Sequence, residues 1–267
     1  MPDIQVVLFD LGGTLLHYEQ PPDRTFERLN AAAMRAFLTA AVQNGGRVPD
    51  PDLALRAVGR MAAAMEARAK RTLYASTAET VLRDGLGAIG VNLADKPWDA
   101  GLAAYYDVIS SAATPVTGDA RAVLARLTED GHGLGVVSNT MWAPAIHDAD
   151  LARFGLLEYL TVRVYSSVAG MVKPHSSIYR EALDALNVAP AEAVFVGDRL
   201  DVDVAGPQKI GMRAIRVALP CPWALAPDGP YRVEEDTDIT PDATIATIDE
   251  LPAVLEAWER ALELPPS

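Results

Sequence analysis

The chain has 267 residues, half of them hydrophobic and 22% charged, which suits one large domain or a domain with a sizeable insert. Lys and Arg total 23 against 36 Asp and Glu, and the formal net charge of -13 repels a phosphate backbone and excludes general nucleic-acid binding. A small phosphorylated molecule stays admissible, because a metal ion and one Lys invert the field locally.

In chain order, Met1-Pro2-Asp3-Ile4-Gln5 lacks the basic start and apolar core of a leader. The β-branched run 4–9 reads as a buried strand entering the tight loop Asp10-Leu11-Gly12-Gly13-Thr14. From about 24 to 112 the pattern turns helical, and 25–42, 51–71, 77–89 and 97–112 each repeat apolar residues near a 3.6 period. From 117 onward strands and helices alternate: helix 119–130, strand 134–137, helix 144–154, strand 161–165, helix 177–186, strand 193–196, short helix 202–210 and strand 213–217. The tail from Leu219 is Pro-rich and acidic, and closes with a helix over 251–262. It holds Cys221, whose lack of a second Cys excludes an internal disulfide framework and a cysteine-rich zinc site. No run approaches the ~20 apolar residues that span a bilayer. The expectation is a soluble cytoplasmic protein with no membrane or nucleic-acid partner, monomeric or homodimeric.

Strand–helix alternation implies a parallel sheet covered on both faces. Right-handed crossovers then bring every strand's C-terminal end to one edge, where ligands bind in open α/β sheets. The expected fold class is α/β, a Rossmann-like doubly wound parallel sheet with an inserted all-helical domain. Residues 1–16 and 115–267 would form the α/β core and 17–114 the insert.

The polar residues at those strand ends carry the chemistry. Asp10 at the tip of a buried strand is desolvated unless a cation or donors meet it. Gly12 and Gly13 let the backbone turn so that N–H groups can face an anion; the bland alternative is a simple Asx-type turn. Ser138 and Asn139 end the next core strand and offer a hydroxyl and a backbone N–H to a phosphoryl oxygen, or serve merely as a turn. Lys173-Pro174 puts a cation in extended backbone ahead of a helix, as a counter-charge or a solvated surface residue. Gly197-Asp198-Arg199-Leu200-Asp201-Val202-Asp203 packs three carboxylates into one strand-to-helix turn, more than capping needs. Hard oxygen ligands at that density suit Mg2+.

Together these segments resemble the haloacid dehalogenase-like (HAD) hydrolase superfamily, in its phosphatase branch with a helical cap of the first class. The four motifs, Asp10-Leu11-Gly12-Gly13-Thr14, Val137-Ser138-Asn139, Lys173-Pro174 and Gly197-Asp198 with Asp203, occur in the superfamily's order. The resemblance implies a Mg2+-dependent phosphohydrolase for a small phosphorylated metabolite. Asp10 would be the nucleophile and form an aspartyl phosphate, with Lys173 and Ser138 also catalytic. Asp10, the Gly12 carbonyl and Asp198 would hold Mg2+, supported by Asp203. Gly13, Ser138, Asn139 and Lys173 would cradle the phosphate.

One position departs from the pattern. Family phosphatases usually carry a second Asp two residues after the nucleophile, and here that residue is Gly12. General acid–base catalysis is worth ~10²–10⁴-fold, so ordinary alcohol phosphates should hydrolyse slowly and activated leaving groups suffer less. His17 is a nearby substitute. Three other readings compete: a metal-independent 2-haloacid dehalogenase; a phosphonate hydrolase using Lys70 or Lys96; and a phosphate-binding protein impaired by Gly12. Arg24, Arg68, Arg71, Tyr74 and Trp142 are candidates for substrate selection in the cap.

Overall fold

The computed structural model describes residues 3–18, 26–218 and 238–263. Arg24, Cys221 and the Pro-rich stretch from Leu219 lie outside the described residues. The strands are β1 (Val6–Phe9), β2 (Leu16–His17), β3 (Thr114–Pro115), β4 (Gly133–Ser138), β5 (Val162–Tyr165), β6 (Ala193–Gly197), β7 (Arg213–Val217) and β8 (Ala243–Ile245). The helices are α1 (Phe26–Gln43), α2 (Pro51–Thr72), α3 (Ala78–Gly87), α4 (Asp95–Ala112), α5 (Ala120–Glu129), α6 (Pro144–Arg153), α7 (Ser166–Ala169), α8 (Ser176–Leu186), α9 (Ala205–Gln208) and α10 (Leu251–Glu263).

Contacts divide the chain into two compact units. The first takes in Met1–His17, Pro115–Asn139 and Leu151–Ser267. The second takes in Tyr18–Thr114 and Thr140–Asp150, so a short segment from beyond the insert joins it.

The first unit is α/β. Its sheet runs β5-β4-β1-β6-β7-β8, parallel throughout. The chain steps outward from β1 to β4 and β5, then returns to lay β6 against β1's other side. That reversal is the topological switch point at which open α/β sheets bind ligands. β1 and β6 are fully buried, which explains their continuous rather than alternating apolar sequence. α8 covers one face: Ile178, Tyr179, Ala182 and Leu183 pack on Val6, Leu8, Val164 and Phe195. Its His175 side chain accepts from the Ser177 N–H at the start, and Asn187 ends it in the left-handed region, which Asn tolerates.

The second unit is helical. α1 packs on α4 so closely that a Cβ on Gly101 would sit 2.9 Å from the Phe37 ring. α2 starts on Asp50, which accepts from the Leu53 N–H, with Pro51 next. Lys70 and Glu66 form an exposed i,i+4 pair at 2.7 Å, worth only ~0.5 kcal/mol. No helix among the described residues is long and apolar enough to cross a membrane.

The short helix expected over 202–210 takes another form. Leu200–Val204 is a π-helical turn, and the α-helix begins only at Ala205. Pro207 accounts for the change: it has no N–H to give the carbonyl four residues back, and is tolerated only in a first turn.

Candidate active site

Within the α/β unit, Asp10 follows β1, Ser138 ends β4, Asp198 follows β6, and Asp203 lies in the π-helical turn. The Asp10 N–H donates to the Val196 carbonyl at 2.9 Å, tying the first acidic loop to the strand that leads into the second. Lys173 Nζ donates to Asp10 Oδ1 and to Asp203 Oδ1, each at 2.7 Å. One carboxylate oxygen from each of Asp10, Asp198 and Asp203 lies within 4.8 Å of the others.

Charge decides what this cluster can do. Were all three carboxylates ionised, the single ammonium would leave two negative charges uncompensated among these groups. Asp198 Oδ1 is buried without a hydrogen-bond partner. Burial pushes the Asp198 carboxyl well above the usual carboxylate range, with Asp203 and Asp10 adding to it. Burial likewise pushes Asp203 up to about 6, against the opposing pull of Lys173. Burial alone would lower Lys173, but Asp10 and Asp203 outweigh it and raise its pKa, so the ammonium persists. An orphaned buried carboxylate oxygen beside two more carboxylates is the donor set that a hard divalent cation satisfies.

The local backbone explains the convergence. Gly13 has φ +84°, and a Cβ there would meet Asp198 Oδ2 at 2.7 Å, so only glycine lets the two acidic loops close. A Cβ on Gly197 would lie 2.5 Å from Asp203. Asp203 Oδ2 accepts from the Arg199 N–H at 3.0 Å. The Tyr179 hydroxyl donates to the Val202 carbonyl, holding the π turn from α8. Lys173 Nζ also lies 5.0 Å above the Phe195 ring.

The structure therefore brings Asp10, Lys173, Asp198 and Asp203 together. Ser138 is buried at the last position of β4. The Asn139 carboxamide bonds the Lys173 backbone. The Gly13 N–H, read as an anion donor, gives its hydrogen to the Leu16 carbonyl at 2.8 Å. Gly12 is exposed, and a Cβ there would meet nothing within 4 Å. His17 is half-buried on β2, and burial lowers its pKa. In the helical unit Lys70, Lys96, Arg68, Arg71 and Tyr74 are exposed, whereas Trp142 is buried against Tyr18.

Four features escaped sequence reasoning: the Asn139 carboxamide, the Tyr179 hydroxyl, the Thr14 hydroxyl and a second polar web. Thr14 Oγ1 is buried without a hydrogen-bond partner in the first acidic loop. Tyr179 carried a signal, since a Tyr in the buried stripe of a helix needs a partner for its hydroxyl. The second web lies in the helical unit. Asp150 accepts from Tyr18 at 3.2 Å and Ser110 at 2.7 Å, and His147 lies between Tyr18 at 3.0 Å and Thr140 at 2.8 Å.

A doubly wound parallel sheet with a carboxylate trio and a buried ammonium at its switch point defines a cation-competent α/β site. The chain belongs to the haloacid dehalogenase-like hydrolases, whose family profile matches residues 4–211. It is 30% identical over 225 residues to a glyceraldehyde 3-phosphate phosphatase from Methanopyrus kandleri, covering 80% of this chain and 84% of that protein. It is 33% identical over 161 residues to the phosphatase of that name from Pyrococcus furiosus, covering 60% of this chain and spanning 61% of that protein's length. Among solved structures it resembles a 2-haloacid dehalogenase from Pseudomonas syringae, with a TM-score of 0.61 and 26% identity over 96% of this chain and 99% of that one.

Proposed function

We propose that the protein is a Mg2+-dependent phosphohydrolase that acts on a small phosphorylated metabolite through an aspartyl phosphate on Asp10. The observation that carries this reading is the buried, unpartnered Asp198 Oδ1 beside Asp10 and Asp203. A metal-independent dehalogenase would have no use for that carboxylate and would bear its repulsion of Asp10.

An Asp10 carboxylate oxygen attacks phosphorus, the bond to the leaving oxygen breaks with its electron pair, and that oxygen takes a proton from solvent because Gly12 offers none. Water then attacks the phosphoryl group, gives up its proton to solvent, and releases phosphate as the Asp10 carboxylate is restored. Asp10, the Gly12 carbonyl and Asp198 would hold Mg2+, which when bound offsets the repulsion between carboxylate and phosphate. Lys173, fixed between Asp10 and Asp203, supplies the protein's own positive charge to the phosphoryl oxygens. The Ser138 hydroxyl and the Asn139 backbone amide hold the phosphate, while Gly13 lets the loops close around it. The helical unit acts as the cap that selects the substrate. The relatives named for glyceraldehyde 3-phosphate favour a short phosphorylated carbon chain.

The test is a panel of phosphomonoesters with acetyl phosphate and 2-chloropropionate, each with and without Mg2+. Mg2+-dependent phosphate release is expected from at least one ester or acyl phosphate. Metal-independent chloride release would establish the dehalogenase instead. Phosphate and Mg2+ binding without turnover would establish the impaired binding protein.

Gly12→Asp follows from the open space at that residue. Neither φ nor neighbours demand glycine there, so an Asp side chain fits and can protonate a leaving group. Turnover of alkyl phosphates should rise about tenfold, the low end of general acid–base catalysis, with less effect on acetyl phosphate. Equal changes on both substrates would refute that role for the missing acid.

The pH dependence has a definite sign. Asp198 and Asp203 have folded pKa values above their unfolded ones. Their protons therefore favour the folded, metal-free chain below about pH 4; the Asp203 contribution is lost as pH rises through about 6, and the Asp198 contribution is lost as pH rises well above the usual carboxylate range. A cation replaces those protons, so the gain in melting temperature on adding Mg2+ should grow between about pH 5 and 8. Scanning fluorimetry reads this directly, and a gain independent of pH would contradict it.

A further inference from the structure

Three side chains hold Lys173: the Asp10 and Asp203 carboxylates take its ammonium, and the Asn139 carboxamide takes its backbone. The Lys173 N–H donates to Asn139 Oδ1 at 2.6 Å, and Asn139 Nδ2 donates to the Lys173 carbonyl at 3.0 Å. The two bonds fix the orientation of the carboxamide, because the N–H must face oxygen and the carbonyl must face nitrogen. The side chain thus pairs with Lys173 as a neighbouring strand residue would, although 34 residues separate them. The residue after Lys173 is Pro174, which has no N–H of its own to anchor this turn.

We propose that Asn139 is a positioning residue for Lys173, its carboxamide fixing the Lys173 backbone so that the ammonium lands between Asp10 and Asp203. The proposal rests on the reading of Lys173 as a catalytic group, and gives Asn139 a duty beyond its backbone amide. A four-carbon side chain has much rotamer freedom, and the position of its charge follows from where its Cα and Cβ are held. Asn139 holds that backbone at both polar atoms, while Asp10, Asp203 and the Phe195 face hold the far end. Displacement of a catalytic group by about 1 Å costs up to 10²-fold.

The test is a double-mutant cycle of Asn139→Ala and Lys173→Ala, read as inorganic phosphate affinity by calorimetry with Mg2+ and as p-nitrophenyl phosphate turnover. Asn139→Ala should lower turnover about 10–100-fold in the native background and change neither readout once Lys173 is Ala. Equal losses in both backgrounds would mean that Asn139 acts on phosphate directly, and would overturn the proposal. Native turnover in Lys173→Ala would instead defeat the reading of the site itself. Where Lys173→Ala leaves no signal, a crystal structure of Asn139→Ala decides: the ammonium displaced from Asp10 and Asp203 supports the proposal, and the ammonium in its native place overturns it. Asn139→Asp, which keeps the acceptor and loses the donor, serves in the same crystal test if Asn139→Ala does not fold.

Discussion

Asp10→Asn should leave the protein folded and lower phosphate release at least ~10³-fold on every substrate it hydrolyses. The carboxamide keeps an oxygen for the Lys173 ammonium, now 2.7 Å from Asp10 Oδ1, so the fold loses little. What it lacks is the second ionised oxygen, and with it the nucleophile. One negative charge also leaves the trio, so Mg2+ affinity should fall while Asp198 becomes easier to ionise. Steady-state kinetics, with circular dichroism as a check on folding, reads both effects. Turnover retained within about tenfold would show that water, not Asp10, attacks phosphorus.

Asp203→Ala should destabilise the α/β unit by about 3 kcal/mol, at the low end of the cost of breaking a buried ion pair. Asp203 is 0% exposed and accepts from both the Lys173 ammonium and the Arg199 backbone. Its removal leaves an N–H without its acceptor and an ammonium with Asp10 as the remaining partner of the pair. Relief of repulsion at Asp198 works the other way, which is why the low end applies. Denaturant unfolding should show the loss without Mg2+. Asp201→Ala is the control, because Asp201 is exposed and among the described residues pairs with Arg199 alone, at 3.1 Å; its cost should stay within ~0.5 kcal/mol. A loss below about 1 kcal/mol for Asp203→Ala would mean that the pair is not structural.

The α/β core was legible because parallel strands buried on both faces must be continuous apolar runs. Val6–Phe9 and Ala193–Gly197 read that way without help from their surroundings. Asp10 and Asp198 were legible by position, since each follows such a run. The π turn was not, because Asp201 and Asp203 resemble capping residues and the pattern over 202–210 is helical until Pro207 is weighed. The Asn139 carboxamide was hidden for another reason. Its partner is main chain 34 residues away, and a side chain's bond to distant backbone leaves no periodic trace. The union of Thr140–Asp150 with the helical unit was equally hidden, since a local pattern says which face is apolar but not what covers it.

The Asp150 carboxylate carries a practical lesson for engineering. It gathers Tyr18, Ser110 and its own short segment into one knot inside the helical unit. A graft of 18–114 alone onto another scaffold would cut that knot and take the Asp150 acceptor away from both hydroxyls. A chimera that carries 140–150 along with the insert would transplant the unit whole, because the module is made of two separate stretches of chain rather than one.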